Sequence, residues 1–310
     1  MTKRAPILIA GPTASGKSTL ALALAERLGG TIINADAMQV YRELRVLTAR
    51  PGETDTQRVP HRLYGHVPGA EAYSAARFAA EAGAAIAEAQ QAGRVPIVVG
   101  GTGLYFMALT EGLSPIPPVP DDIRSHWRSR AAEIGPAALH AELAARDPVM
   151  AARLRPTDPQ RLVRALEVLD ATGVSLAEWQ AKPGEPVVHV EEGRAFVVSR
   201  DRDDLFARCD ARFDAMLAEG ALEEVRALLQ LGLSRDLPVM RALGVAPLAD
   251  QIAGATTPAA AAEAAKTETR RYAKRQITWL KRNMMSWKWI NTQQMKSLAA
   301  EFGDYDNMCS

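Results

Sequence analysis

Short apolar runs alternate with amphipathic stretches along the first third of the chain. Ala5-Pro-Ile-Leu-Ile-Ala10, Thr31-Ile-Ile-Asn34 and Arg94-Val-Pro-Ile-Val-Val99 are brief and apolar on both faces. That is the pattern of strands buried in a parallel sheet. Between them lie residues 19–28, rich in Ala and Leu and closed by Gly29-Gly30, and an Ala-rich segment that Ser74 can cap and that ends near Gln91 and Gly93. Both predict helices. Strand and helix in alternation predict an α/β fold. Residues 41–62, with Arg50-Pro-Gly-Glu53 and Val59-Pro-His61, read as a mobile or substrate-facing connection.

The pattern changes at Ser114-Pro-Ile-Pro-Pro-Val-Pro120, a stiff extended linker that predicts a domain boundary. Residues 121–179 are helical in period, punctuated at Gly135-Pro136, Asp147-Pro148, Asp158-Pro159 and Gly173, with no strand pattern. Phe196-Val-Val-Ser199 returns to the sheet, and helices are expected over 203–231 and 239–252. A long helix follows from Pro258 to about Met284, then a short strand at Trp287-Lys-Trp-Ile290 and a polar, frayed tail to Ser310. The expected organisation is a core over 1–115, an all-helical insertion domain over 116–190, and a return to the core sheet with a C-terminal basic helix over 191–310.

The first candidate chemistry sits where the first strand meets the first helix. Gly11-Pro-Thr-Ala-Ser-Gly-Lys-Ser18 fills every fixed position of the phosphate-binding pattern G-x-x-x-x-G-K-[ST]. Such a loop points backbone N–H groups into a concavity at the positive end of a helix. Lys17 adds a charge, and the Ser18 hydroxyl can hold Mg²⁺. The fold expected is therefore a P-loop NTPase-like parallel sheet flanked by helices. The loop predicts a polyphosphate ligand, a diphosphate ester or a nucleotide such as ATP, without choosing between them.

Two further strand tips carry candidates. Asp36 lies just past the second strand, on the sheet edge where ligands bind in open α/β folds. A helix N-cap role for the segment from Ala37 and a catalytic role both fit that position. The strand read over Arg94 to Val99 ends in Gly100-Gly-Thr-Gly103, with no carboxylate of the kind ATP-hydrolysing proteins place there. Glycines let a substrate approach the backbone, and Thr102 is the side chain able to hydrogen-bond among them.

Composition narrows the classes. The formal net charge of +1 confines any nucleic-acid contact to local clusters. One cluster is Arg270, Arg271, Lys274, Arg275, Lys281 and Arg282, within an arc of roughly 140° on one helix, an unbroken cationic face suited to RNA. Another is Arg153, Arg155, Arg161 and Arg164. Cys209 and Cys309 alone argue against a disulfide framework or a zinc site and suit a reducing cytoplasm. His61 and His66 read as packing residues. No signal peptide or membrane span is expected.

These motifs together resemble the tRNA dimethylallyltransferase (tRNA isopentenyltransferase) family. The resemblance rests on Gly11 to Ser18, Asn34-Ala-Asp-Ala-Met-Gln-Val-Tyr41, Gly100-Gly-Thr-Gly-Leu-Tyr105, Gly112-Leu-Ser114, Asp158-Pro-Gln-Arg-Leu-Val-Arg-Ala-Leu-Glu167 and Ala273-Lys-Arg-Gln-Ile-Thr-Trp279, in order over about 270 residues. It implies transfer of a dimethylallyl group from its diphosphate, with Mg²⁺, to N6 of the adenosine just 3′ of the anticodon in tRNA. The protein is expected to be a cytoplasmic monomer. Gly11, Pro12, Thr13, Ala14, Ser15, Gly16, Lys17 and Ser18 would bind the diphosphate, with the metal on Ser18. Asp36 would be the base for N6, with Lys17 and Thr102 also catalytic. Contacts to tRNA are implied at Asp36, Ala37, Met38 and Gln39, at Thr102 and Arg124, and at Gln160, Arg161, Leu162, Val163 and Arg164. Arg208 and Arg212 match positions able to face the diphosphate, or to form a structural salt bridge. The run Arg241-Ala-Leu-Gly-Val-Ala-Pro247 lacks the aromatic and the cation usual near the end of that segment. A small-molecule kinase is the rival on the same fold, and it has no use for the basic helix.

Overall fold

The computed structural model describes residues 4–190 and 194–293. Cys309 and the polar tail lie outside them. Two compact units are present, one built from 1–110 and 187–310, the other from 111–186.

The first unit is organised on a six-stranded parallel sheet of order β3-β2-β4-β1-β5-β6. Its strands are β1 (Ile7–Ala10), β2 (Gly30–Asn34), β3 (His61–Arg62), β4 (Val95–Gly100), β5 (Ala195–Ser199) and β6 (Lys288–Asn291). Every residue of β1, β2 and β4 is buried, as their continuous apolar sequences require. Helix α1 (Lys17–Leu28) closes one face with Leu20, Leu24 and Leu28 against Ile7, Ile32, Ile97 and Val99. On the other face, α3 (Ala75–Gln91) and α4 (Gly103–Thr110) pack Phe78 and Phe106 on Leu8, Ile33, Val98 and Val197. The Ser74 hydroxyl caps α3 by accepting from Arg77 N–H, as expected.

A second apolar cluster of this unit joins the 40–47 segment to α9 (Arg202–Ala218), α10 (Ala221–Gln230), α11 (Val245–Ile252) and the first half of α12 (Pro258–Asn283). Here the expected mobile connection is corrected. Val40, Tyr41, Leu44, Val46 and Leu47 are buried, α2 (Glu53–Arg58) and β3 interrupt the stretch, and the Glu224 carboxylate accepts from the backbone N–H groups of Arg45, Val46 and Leu47 at 2.6–2.9 Å. The turn formers made the segment look loose, but its apolar residues face the core.

The second unit is wholly helical: α5 (Asp121–Arg146), kinked at Gly135, α6 (Pro148–Arg153), α7 (Pro159–Thr172) and α8 (Leu176–Gln180). Asp147, Asp158 and Ser175 cap the last three through their side chains. Trp127, Leu139, Leu143, Leu162 and Leu166 form its core. Its limits, 111–186, differ from the expected 116–190. Ile116 and Val119 of the linker pack into this core, whereas the N–H groups of Val187 and Val188 donate to Leu109 O of the first unit. Among the described residues no helix is long and apolar enough to cross a membrane.

At the end of β4 the chain passes so close to its neighbour that a Cβ on Gly100 would lie 2.0 Å from Ala35 O. That contact is backbone on backbone, with no side chain able to yield. Gly100→Ala is expected to lose about 3 kcal/mol of stability, measured by urea unfolding. A loss under about 0.5 kcal/mol, the range of an ordinary surface substitution, would show that the sheet edge gives way.

Candidate functional site

Three strand tips are stitched together by the backbone. Gly11 N–H donates to Gly100 O at 3.2 Å, Ala35 N–H to Val99 O at 2.8 Å and Thr102 N–H to Ala35 O at 3.2 Å. The phosphate loop, the Asp36 segment and the Thr102 loop therefore share one edge of the sheet.

The phosphate loop turns through Ala14 at φ 62° and Gly16 at φ 93°, so that α1 begins at Lys17 with its first amides pointing outward. Besides Gly11, two of the loop's N–H groups are engaged within the protein: Ser15 donates to Pro12 O, and Thr13 donates to Oε1 of Gln276 at 2.9 Å. Gly16, Lys17 and Ser18 face a cleft of about 830 Å³ that Arg208 and Arg212 also line. Lys17 Nζ donates to Pro12 O at 3.2 Å, and burial pushes its ammonium down to about 8, with the charge of Asp36 opposing the shift and Arg212 adding to it. Burial likewise lowers Arg212, again opposed by Asp36. Arg208 Nε donates to Ala14 O. Among the described residues neither arginine forms an ion pair, so the salt-bridge explanation for them does not hold.

Asp36 is gripped through its backbone. Its N–H donates to Asn34 Oδ1, and Asn34 Nδ2 donates to Asp36 O and Leu63 O, each near 3.0 Å. No helix follows, so the N-cap expectation is replaced by a local turn in which Asp36 Oδ1 accepts from Met38 N–H at 2.9 Å. Thr102 Oγ1 accepts from Ala37 N–H at 2.9 Å. Gln39 Nε2 donates to Thr48 O and Ala49 O. Asp36, Ala37 and Met38 line a second cleft of about 1050 Å³, walled on its apolar side by Phe213, Met216 and Tyr272. Arg212 lines both clefts, and Arg241, Ala242 and Leu243 line the one that holds Asp36.

The remaining expected residues divide. Arg124, Gln160, Arg161, Val163 and Arg164 lie in the helical unit, with Arg161 and Arg164 within 4 Å of Asp158 and Glu167. Leu162 is fully buried in that unit's core, so its side chain packs and cannot touch RNA. On α12 the unbroken cationic face is corrected at Arg270, which pairs with Asp210 at 2.6 Å and Glu263 at 2.8 Å. Asp210 comes from α9, outside what the helix's own sequence shows, whereas Glu263 lies two turns earlier on α12 itself. Arg271, Lys274, Arg275, Lys281 and Arg282 stay exposed. The sequence reading passed over Asn34 and Gln276 as bearers of the site, although both stood inside quoted motifs. Their signal was a carboxamide at a strand tip and on an otherwise apolar helix face.

Comparison with known proteins identifies the family. The family model described as IPP transferase matches residues 39–283, and one described as isopentenyl transferase matches residues 5–66. A tRNA dimethylallyltransferase of Parvibaculum lavamentivorans is 55% identical over 95% of this chain and 93% of its own. The crystal structure of a full-length tRNA isopentenylpyrophosphate transferase from Bacillus halodurans superposes with a TM-score of 0.68 at 32% identity, covering 99% of this chain and 95% of that one. A eukaryotic dimethylallyltransferase described as acting on tRNA gives 0.78 at 26% identity, over 98% of this chain and 80% of that one. The chain belongs to the IPP transferase family.

Proposed function

We propose that this protein transfers a dimethylallyl group from dimethylallyl diphosphate to N6 of the adenosine immediately 3′ of the anticodon in tRNA, giving N6-isopentenyladenosine and diphosphate. The observation that carries the reading is the pairing of a cationic phosphate cleft with an apolar, aromatic-walled cleft that holds a carboxylate, with Arg212 lining both. A polyphosphate leaving group belongs in the first and a flat base, flipped out of its loop, in the second.

The chemistry follows from charge. As the allylic C–O bond breaks, negative charge grows on the diphosphate, and the outward amides of Gly16, Lys17 and Ser18, the Lys17 ammonium and the two arginines stabilise it. N6 of adenine is a weak nucleophile because its lone pair is delocalised into the ring. Asp36 orients the amine and accepts its proton as the N–C bond forms. Thr102 holds the Asp36 segment through Ala37 N–H, and its contact with the reacting base is part of the same proposal. Ser18, exposed beside Lys17, would hold Mg²⁺ together with the substrate's phosphate oxygens and water, the donor set that ion favours in phosphate sites. Bound Mg²⁺ supplies further positive charge against the leaving group. The absence of any cluster of three His, Cys, Asp or Glu among the described residues fits a metal held mainly by substrate. Ala37, Met38, Gln39, Arg124, Gln160, Arg161, Val163 and Arg164 are the proposed tRNA contacts, joined by the exposed cations of α12. We take the working form to be a cytoplasmic monomer, the expectation drawn from the sequence.

Incubation with unmodified tRNA, labelled dimethylallyl diphosphate and Mg²⁺, beside a tube with γ-labelled ATP, tests this reading. Prenyl label should enter tRNA and vanish in Lys17→Ala; phosphate transfer from ATP alone would replace the reading with a kinase. Asp36→Ala should lower turnover by about 10²–10⁴ while tRNA affinity holds, and near-normal turnover would remove Asp36 from the mechanism. The lowered Lys17 ammonium gives a pH signature. Below pH 8 the free protein already carries the charge, so binding of pyrophosphate needs no proton there. Above pH 8 binding must supply the proton, and affinity relative to Lys17→Met should fall about tenfold per pH unit. Calorimetry showing a flat ratio from pH 7 to 9.5 would contradict the assignment.

A further inference from the structure

Gln276 stands on α12, 263 positions after Thr13, and its side chain is only 6% exposed. Oε1 accepts from Thr13 N–H at 2.9 Å, and Nε2 donates to Gly101 O at 2.8 Å. One planar carboxamide thus bridges the phosphate loop and the Thr102 loop. The site demands that group, because Glu would set an oxygen against a carbonyl oxygen and Met would leave both backbone groups unpaired. A Cβ on Gly101 would lie 2.3 Å from Nε2, so the space is filled. Three residues on, Trp279 covers Gly103, where a Cβ would lie 2.2 Å from its ring. The helix therefore grips the 101–103 loop at two points on one face.

The bridge has two effects on the chemistry. It withdraws the Thr13 amide from the set that can bind an anion, and it fixes Gly101 next to Thr102, whose Oγ1 in turn holds Ala37 N–H beside Asp36. We propose that Gln276 is a positioning residue for prenyl transfer, setting the distance between the departing diphosphate and the amine that Asp36 orients; this rests on the function proposed above. Reacting atoms must approach to roughly 3–3.5 Å, and a misplacement of about 1 Å costs about 100-fold in rate. Gln276 keeps two loops from different strands, each carrying one half of the reaction, within that tolerance.

The test uses the full chain with Gln276→Met and Gln276→Glu, at saturating dimethylallyl diphosphate and tRNA. Gln276→Met should lower kcat about 30-fold, with the dissociation constant for tRNA within about threefold of wild type. Gln276→Glu should be as slow at pH 8 but recover about tenfold relative to wild type at pH 6. A protonated carboxyl again donates to Gly101 O, and burial against carbonyls raises its pKa. A purely structural role would not move with pH in this way. A folded variant with kcat within about twofold of wild type overturns the proposal. So does a Gln276→Glu protein that is folded at pH 6 by circular dichroism yet as slow, relative to wild type, as at pH 8, and this arm decides if Gln276→Met does not fold. Wild-type enzyme run in parallel separates the claims: no label in tRNA from wild type sinks the function itself, whereas an active wild type with undiminished variants sinks only the role of Gln276.

Discussion

The site depends on backbone hydrogen bonds at the carboxyl edge of a parallel sheet. Residues far apart in sequence, Gly11, Ala35, Val99, Gly100 and Thr102, hold one another through main-chain groups alone. Main-chain pairing leaves most of the holding to the backbone rather than to side chains at that edge. It also demands glycine where strands converge, because a methyl at Gly100 meets a carbonyl. A phosphate loop and a carboxylate loop can then face common ground without a dedicated structural side chain between them. The exceptions, Asn34, Thr102 and Gln276, hold backbone rather than one another.

Electrostatics orders what the backbone brings together. Lys17 and Arg212 are desolvated cations, and Asp36 is the carboxylate whose field reaches both. Burial, with the field of Asp36 adding to it, raises Tyr64, Tyr105 and Tyr272 and keeps their hydroxyls neutral. A negative leaving group and a neutral amine need opposite surroundings. The two clefts supply them, with Arg212 at the border.

Local signals carried much of this into the sequence. Continuous apolar runs marked β1, β2, β4 and β5; Ser74, Asp147 and Asp158 marked helix starts; and the Gly11 to Ser18 motif marked the loop. What sequence hid was partnership across distance. Arg270 looked free because Asp210 lies 60 positions away on another helix. Residues 41–62 looked mobile because turn formers mask a buried apolar set, and because the carboxylate that ties down 45–47 comes from Glu224. Gln276 looked like one polar residue among many on a basic helix. The limits of the helical unit moved for the same reason: Ile116 and Val119 belong to a core that the Pro-rich composition of the linker conceals.

The placement of Gln276 and β6 late in the chain bears on how the protein is made. A ribosome that has completed the phosphate loop, Asp36 and Thr102 has still to deliver the helix that bridges the loops and the strand that pairs with β5. Until then β5 presents an open edge, and parallel pairings that close over such sequence separations form slowly. A nascent or prematurely ended chain therefore holds Lys17, Asp36 and Thr102 without the bridge between their loops. Translation through α12 and β6 thus completes the site, and until then the open β5 edge is the kind of surface through which partly folded chains associate.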